Sequence, residues 1–309
     1  MFLRPLQIIP HDTNIDFVAK RWIAFSVTIL LVIVTIFSLF TKGLNLGIDF
    51  KGGILIEAKA AETIDISALR NDMSTLNLGE VELQQFGAPN DILIRVQRQE
   101  GDETAQMKAV QTVRDKLGPS YEYRRVEVVG PTVGAELLHA GILATVLSLL
   151  AISVYVAFRF EWQFGLAALV ATFHDVFTTV GLYTVLQLDF NLTAVAALLT
   201  LAGYSINDTV VVFDRMRETM RRQRSPDLKT VINDSVNQTL SRTLMTSGTT
   251  LLALIPLVFM GGETLITFSA AITWGIFVGT YSSIYVAAAL MLYMPPLKRI
   301  DSAKKKAKA

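Results

Sequence analysis

The 309-residue chain is 51% hydrophobic and only 18% charged, with a net charge of +1. A soluble protein of this size needs roughly a quarter of its residues charged to cover its surface, so a soluble enzyme is excluded and a polytopic membrane protein is expected. The lack of cysteine excludes a disulfide framework and thiolate metal sites, three histidines argue against a multi-histidine metal centre, and the balanced charge leaves no basic field for nucleic acid.

A bilayer core asks for about 20 apolar residues per helix. The first such run, 22–40, carries no charge. It is too long for a cleaved leader and no small-x-small cleavage site follows, so it is expected to remain as a transmembrane helix. Residues 42–132 then read as a folded domain. Residues 48–58 read as a strand, and Ile66, Leu69, Met73 and Leu76 recur at helical spacing. Val81, Leu83 and Gln85 alternate, as do Ile92, Ile94 and Val96, with a hairpin turn at Gly87-Ala88-Pro89-Asn90-Asp91. Val110, Val113 and Leu117 mark a second helix that ends at Gly118-Pro119, and Tyr121, Tyr123, Val126 and Val128 belong to a last strand. The order β-α-β-β-α-β predicts an α+β ferredoxin-like domain.

Five further apolar runs follow at about 137–158, 164–186, 192–213, 244–260 and 265–293. The expected architecture is therefore a polytopic α-helical membrane protein with six transmembrane helices. Residues 1–41 hold the N-terminus and helix 1, residues 133–294 hold helices 2–6, and residues 295–309 form a basic tail. The fifth run is short, opens with hydroxyls and contains Pro256, whose freed carbonyl makes either a hinge or a tolerated kink.

Lys and Arg set the orientation. Arg4, Lys20 and Arg21 precede the first span, and Arg159 sits between the second and third. Arg215, Arg217, Arg221, Arg222, Arg224, Lys229 and Arg242 lie between the fourth and fifth; Lys298, Arg299 and Lys304-Lys305-Lys306 follow the sixth. The opposite loops, 187–191 and 261–263, contain neither residue. Both termini are thus expected to be cytoplasmic, with domain 42–132 on the other side. A basic cytoplasmic loop is expected at about 214–241; Val231, Val236 and Leu240 make it either a surface helix or a solvated connector.

Polar groups inside spans are costly and mark function by default. Asp175 lies about 11 residues into the third span, some 16 Å deep at about 1.5 Å per residue. A carboxylate is costliest there when ionised, as a proton carrier requires; the plain alternative is a neutral packing residue. His174 either shares its network or points elsewhere, since neighbours on a helix diverge by about 100°. In the fourth span, Asn207 and Asp208 fall in the cytoplasmic half, and Ser205 and Tyr204 share a face with Asp208. Asp208 serves either conduction or an interhelical hydrogen bond, and Arg215 marks the interface beyond it. Thr246, Ser247, Thr249 and Thr250, with Thr243 and Gly248, open the fifth span at the same depth. They either support a wet path from Asp175 or simply pack.

The fourth-span segment Gly203-Tyr204-Ser205-Ile206-Asn207-Asp208-Thr209-Val210-Val211-Val212-Phe213-Asp214-Arg215-Met216-Arg217-Glu218 resembles the signature of the SecF branch of the SecD/SecF family. So do Gly47-Ile48-Asp49-Phe50-Lys51-Gly52-Gly53 after the first span, Phe173-His174-Asp175 in the third, and Ser241-Arg242-Thr243 with Thr246-Ser247 at the fifth. These are protein-export membrane proteins of the resistance–nodulation–division superfamily. The resemblance implies a bacterial inner-membrane subunit that pairs with SecD and uses the proton-motive force to promote export through the SecYEG translocon. The implied partners are SecD, SecYEG, YajC, the unfolded polypeptide in transit and the proton. The family's essential span-three Asp matches Asp175, and its span-four Arg matches Arg215; Asn207 and Asp208 lie in the same motif.

Two alternatives stand beside it: a half-transporter of the same superfamily that exports small molecules or lipids, and a passive translocon scaffold. No glycine-rich phosphate loop followed by Lys and Ser/Thr is present, so ATP hydrolysis is not expected and no cofactor is implied. Gly52-Gly53 reads instead as a bulge or a close backbone contact.

Overall fold

The computed structural model describes residues 13–85, 87–222, 227–260, 263–295 and 297. Helix α1 (Arg21–Thr41) leads through a single turn, α2 (Ile48–Lys51), into β1 (Gly53–Ala60), α3 (Ile66–Ser74), β2 (Val81–Gln85), β3 (Asp91–Val96), α4 (Glu103–Leu117) and β4 (Tyr121–Val129). The chain then returns through α5 (Pro131–Arg159), α6 (Trp162–Leu186), α7 (Leu192–Arg222), α8 (Leu228–Met260) and α9 (Glu263–Tyr281). A π-helical turn, Ser282–Ala287, extends α9 toward Tyr293. Among the described residues six helices are long and apolar enough to cross a membrane: α1, α5, α6, α7, α8 and the extended α9.

The four strands pair antiparallel in the order β2-β3-β1-β4, which is the ferredoxin-like order. Alternation sends Ile54, Ile56 and Ala58 of β1 and Ile92, Ile94 and Val96 of β3 to one face, where Leu69, Met73, Val110, Val113 and Leu117 of the helices cover them. The side chain of Asp65 caps α3 at Ser67 and Ala68, and that of Asp102 caps α4 at Thr104 and Ala105. The reverse face carries Leu55 and Leu93, which are also buried, packed with Ile48. It rests on the end of the helical bundle.

The strand expected from residue 48 begins only at Gly53, because Ile48–Lys51 forms one helical turn. Gly52 and Gly53 take φ of +73° and +126°, and a Cβ at Gly53 would lie 2.8 Å from the Val96 carbonyl oxygen. Only glycine fits that turn and approach. The reverse face is tied to the bundle by polar contacts. Arg95 of β3 forms an ion pair with Asp189 in the α6–α7 loop, and Asn45 Nδ2 donates to Asp189 Oδ1 at 2.9 Å. Burial pushes the Asp189 carboxyl above its ordinary value of 3.8, and the Arg95 guanidinium opposes that rise.

Of the two readings of the basic segment at about 214–241, helix or connector, the described residues other than Asp227 are helix: α7 runs on to Arg222 and α8 starts at Leu228. The apolar face that looked weak in one segment is completed by its neighbour. Val231, Ile232, Val236 and Leu240 of α8 pack on Phe213, Met216 and Met220 of α7, with Phe17 and Val18 of the N-terminal segment. Asn237 Oδ1 accepts from Ile15 N–H and its Nδ2 donates to Ile15 C=O, both at 2.9 Å, while Asn233 Oδ1 accepts from Val18 N–H at 3.0 Å. The fifth span is accordingly part of a 33-residue helix with Pro256 inside it. Arg4, Arg224, the tail from 298 and the glycines of loop 261–263 lie outside the described residues.

Within the bundle α6, α7 and the extended α9 are the inner helices, and α1, α5 and α8 are outer ones with exposed apolar side chains. Two apolar clusters fill the interior. The one nearer the sheet contains Tyr183, Phe190, Leu198, Leu201 and Ile276; the other contains Val156, Phe164, Phe213, Met216 and Met291. Between them Thr172, His174, Asp175, Ser205, Asp208, Thr209, Ser282 and Ser283 form a buried polar layer.

Candidate functional site

Asp175 lies midway along α6 and is wholly buried, with 0% exposure. Ser205 Oγ of α7 donates to Asp175 Oδ2 at 2.5 Å, and Ser282 Oγ of the π-helical turn donates to the same oxygen at 2.7 Å. His174 Nδ1 sits 3.0 Å from Asp175 Oδ1, so His174 turns toward the carboxylate and not away from it. Its Nε2 is buried with no hydrogen-bond partner among the described residues. The backbone around Asp175 is tied down as well: Thr179 Oγ1 donates to its carbonyl oxygen at 2.7 Å. Gly279 faces the same cluster: a Cβ there would stand in ordinary van der Waals contact with Asp175 Oδ2, at 3.5 Å.

The π-helical turn explains how two successive serines enter the same layer. π turns widen the helix by one residue and recur at functional sites. Here Ser282 meets Asp175 while Ser283 Oγ lies 2.8 Å from Thr209 Oγ1 of α7. Neither serine was singled out in the sequence, although a Ser-Ser pair inside an apolar span was a visible signal.

Asp208 is buried one helical turn beyond Ser205, and Thr246 Oγ1 of α8 donates to its Oδ1 at 3.4 Å. Tyr204 donates to Thr250 Oγ1 at 3.3 Å, and Ser247 Oγ lies 2.7 Å from Thr280 Oγ1. The hydroxyls at the start of the fifth span thus divide: Thr246, Ser247 and Thr250 reach neighbouring helices, whereas exposed Thr249, among the described residues, bonds only to its own helix, at Met245 and Thr246. No direct hydrogen bond joins the Asp175 and Asp208 clusters among the described residues. Asn207 is exposed on the outer face of α7. Arg215 does not meet either aspartate; its Nε donates to Gln238 Oε1 at 2.5 Å and its guanidinium pairs with Glu218. Both partners lie in the basic helical segments, Glu218 in α7 and Gln238 in α8.

A six-helix bundle with a ferredoxin-like domain at one end, and a buried carboxylate bonded from two other helices, defines a multi-pass membrane protein that keeps an ionisable group inside the bilayer. The comparisons specify it further. Residues 109–296 match the family of protein export membrane proteins SecD/SecF, C-terminal, and residues 37–64 match the SecD/SecF GG motif. The chain belongs to the SecD/SecF family. It is similar to the protein translocase subunit SecF of Magnetococcus marinus, 46% identical over 299 residues, covering 95% of this chain and 96% of that protein. The SecF subunit of Rhodobacter capsulatus is 42% identical over 304 residues, covering 94% of this chain and 91% of its own. The crystal structure of SecDF from Thermus thermophilus matches with a TM-score of 0.81 at 36% identity over 94% of this chain. A crystal structure of SecDF in a super-membrane-facing form matches with a TM-score of 0.68 at 35% identity over 99% of this chain. The chain spans only 39% and 41% of those two longer chains.

Proposed function

We propose that this chain is the SecF-type subunit of an inner-membrane complex that uses the proton-motive force to promote protein translocation through, and release from, the SecYEG translocon. The observation that carries this is Asp175, wholly buried and bonded by Ser205 and Ser282 from two other helices. An ionised carboxylate only accepts hydrogen bonds, whereas a carboxylic acid must donate one. Protonation therefore reverses one bond in the cluster and changes how α6, α7 and the last span fit together. One proton crossing 100 mV releases about 2.3 kcal/mol, which shifts a two-state equilibrium by roughly 50-fold. That is too little to unfold a substrate but enough to reset domain 42–132 in each cycle.

In this scheme Asp208 and Thr246 form the next polar station, toward the arginine-rich end, and Arg215 with Glu218 stands where the path leaves the bundle. The asymmetry of Lys and Arg favours cytoplasmic termini and a periplasmic sheet domain. A SecD-type partner is supported by the SecDF relatives, in which the matching region is part of a longer chain. Exposed Asn207 lies on a face open to such a partner.

The test is export of a secreted reporter in vivo by Asp175→Asn against wild type, at matched levels of both subunits. The expected result is loss of export with normal protein levels. Unchanged export would make Asp175 a packing residue and favour the passive scaffold.

A further inference from the structure

The segment Gly47 to Gly53 does more than turn the chain into the sheet. Leu192 is the first residue of α7, so its N–H has no partner within the helix. Across 143 residues of sequence, that N–H donates to Asp49 Oδ2 at 2.8 Å. Asn191 Oδ1 takes the N–H of Ala194 at 2.9 Å, so the two side chains divide the helix start between them. A carboxylate at this place also meets the positive end of the helix dipole.

The same segment is held on both flanks. Gly47 N–H donates to Phe190 C=O, and Phe190 N–H to Asn45 C=O, each at 2.8 Å. A Cβ at Gly47 would come within 3.1 Å of Asn191 Cβ, and a Cβ at Gly134 of α5 within 2.7 Å of the Phe50 carbonyl oxygen. The turn α2 is thus a wedge between α5 and the start of α7. Above it, Arg95 ties the underside of the sheet to Asp189. Below it, α7 runs thirteen residues, about 20 Å, from Leu192 to Ser205, which touches Asp175. The start of α7 is therefore held from the sheet side at two places, at Leu192 by Asp49 and three residues earlier by the Arg95–Asp189 pair.

We propose that Asp49 is a positioning residue that couples, through the N-terminus of α7, the geometry of the Asp175–Ser205 contact to the placement of the four-stranded sheet, with the Arg95–Asp189 pair as a second tie. What sets α7 in motion rests on the proton-driven function above; the joint itself rests on the hydrogen bonds around Asp49.

Hydrogen exchange of the full chain with its SecD-type partner in lipid nanodiscs tests it, using Asp49→Ala and Asp49→Asn, each with and without Asp175→Asn. Asp49→Ala is expected to lower amide protection at residues 192–195 by about five-fold, as for a lost cap, with a parallel loss in β1 and β3. Asp49→Asn keeps an acceptor oxygen and restores most of it. Asp175→Asn is expected to alter exchange in the sheet when residue 49 is Asp or Asn, but not in the Asp49→Ala background, where its effect near Ser205 persists. Fraying of α7 beside an unaltered sheet overturns the joint. So does an Asp175→Asn effect that reaches the sheet equally in Asp49→Ala. If Asp175→Asn alters exchange nowhere, the proton-driven function fails instead, and the joint stands or falls on the Asp49→Ala pattern alone.

Discussion

Gly134→Ala probes the contact between α5 and the α2 wedge most directly. The added methyl would lie 2.7 Å from the Phe50 carbonyl oxygen, 3.1 Å from the Phe50 carbonyl carbon and 3.2 Å from the Gly52 nitrogen. All three are backbone atoms, so no rotamer change relieves the overlap; one helix or the wedge has to move. Overpacking of this kind costs about 1–3 kcal/mol. The substitution also gains helix propensity, up to about 1 kcal/mol. Gly248→Ala in α8 isolates that gain, because a Cβ there meets nothing within 4 Å. The two variants should therefore separate by about 1–3 kcal/mol, the overpacking cost alone. Thermal unfolding of the purified chain in one detergent, at one scan rate, reads the difference as several degrees. Gly134→Ala is expected to unfold below wild type or near it, and Gly248→Ala at or above it. Equal midpoints for the two variants would refute the claim that α5 touches the wedge backbone.

Ser205→Ala and Ser282→Ala each remove one donor to Asp175 Oδ2. Each is expected to weaken reporter export with normal protein levels, and neither should add to the defect of Asp175→Asn, since residues in one network are non-additive; full additivity would separate the serines from the carboxylate's role. The sheet domain offers a pH test. The hydroxyl of Thr104 first, then the Ala105 amide, hold the Asp102 carboxyl below its ordinary value of 3.8. A depressed carboxyl stabilises the fold fully above its unfolded value and loses that effect as pH falls through the folded one. Asp102→Ala should thus lower amide protection in α4 at neutral pH, and the difference from wild type should shrink as pH drops below 3.8. A difference that stays constant into acid would mean that the carboxylate charge is not what caps α4.

Features that depend on neighbours along the chain are legible in the order of residues alone. Six long apolar runs required six membrane helices, because a bilayer admits no unpaired backbone. Period-two and period-3.6 patterns in 42–132 laid out the ferredoxin-like order before any contact was known. Asp175 stood out because a carboxylate in the middle of an apolar run is costly wherever the helix packs. Features that depend on distant neighbours are fixed only by packing. Ser282 reaches Asp175 across 107 residues, through a π turn that no local pattern announces. The basic stretch after Phe213 became helix because α7 and α8 complete each other's apolar faces, which neither face shows alone. Arg215 was drawn to Glu218 and Gln238 in that extension, two turns beyond Asp208. Asp49 looked like one charge in a glycine motif until the fold laid it against an orphan N–H of α7. Local periodicity selects the elements, but the partners of a buried polar group are chosen by packing, since each must find a hydrogen bond wherever the chain brings one within reach.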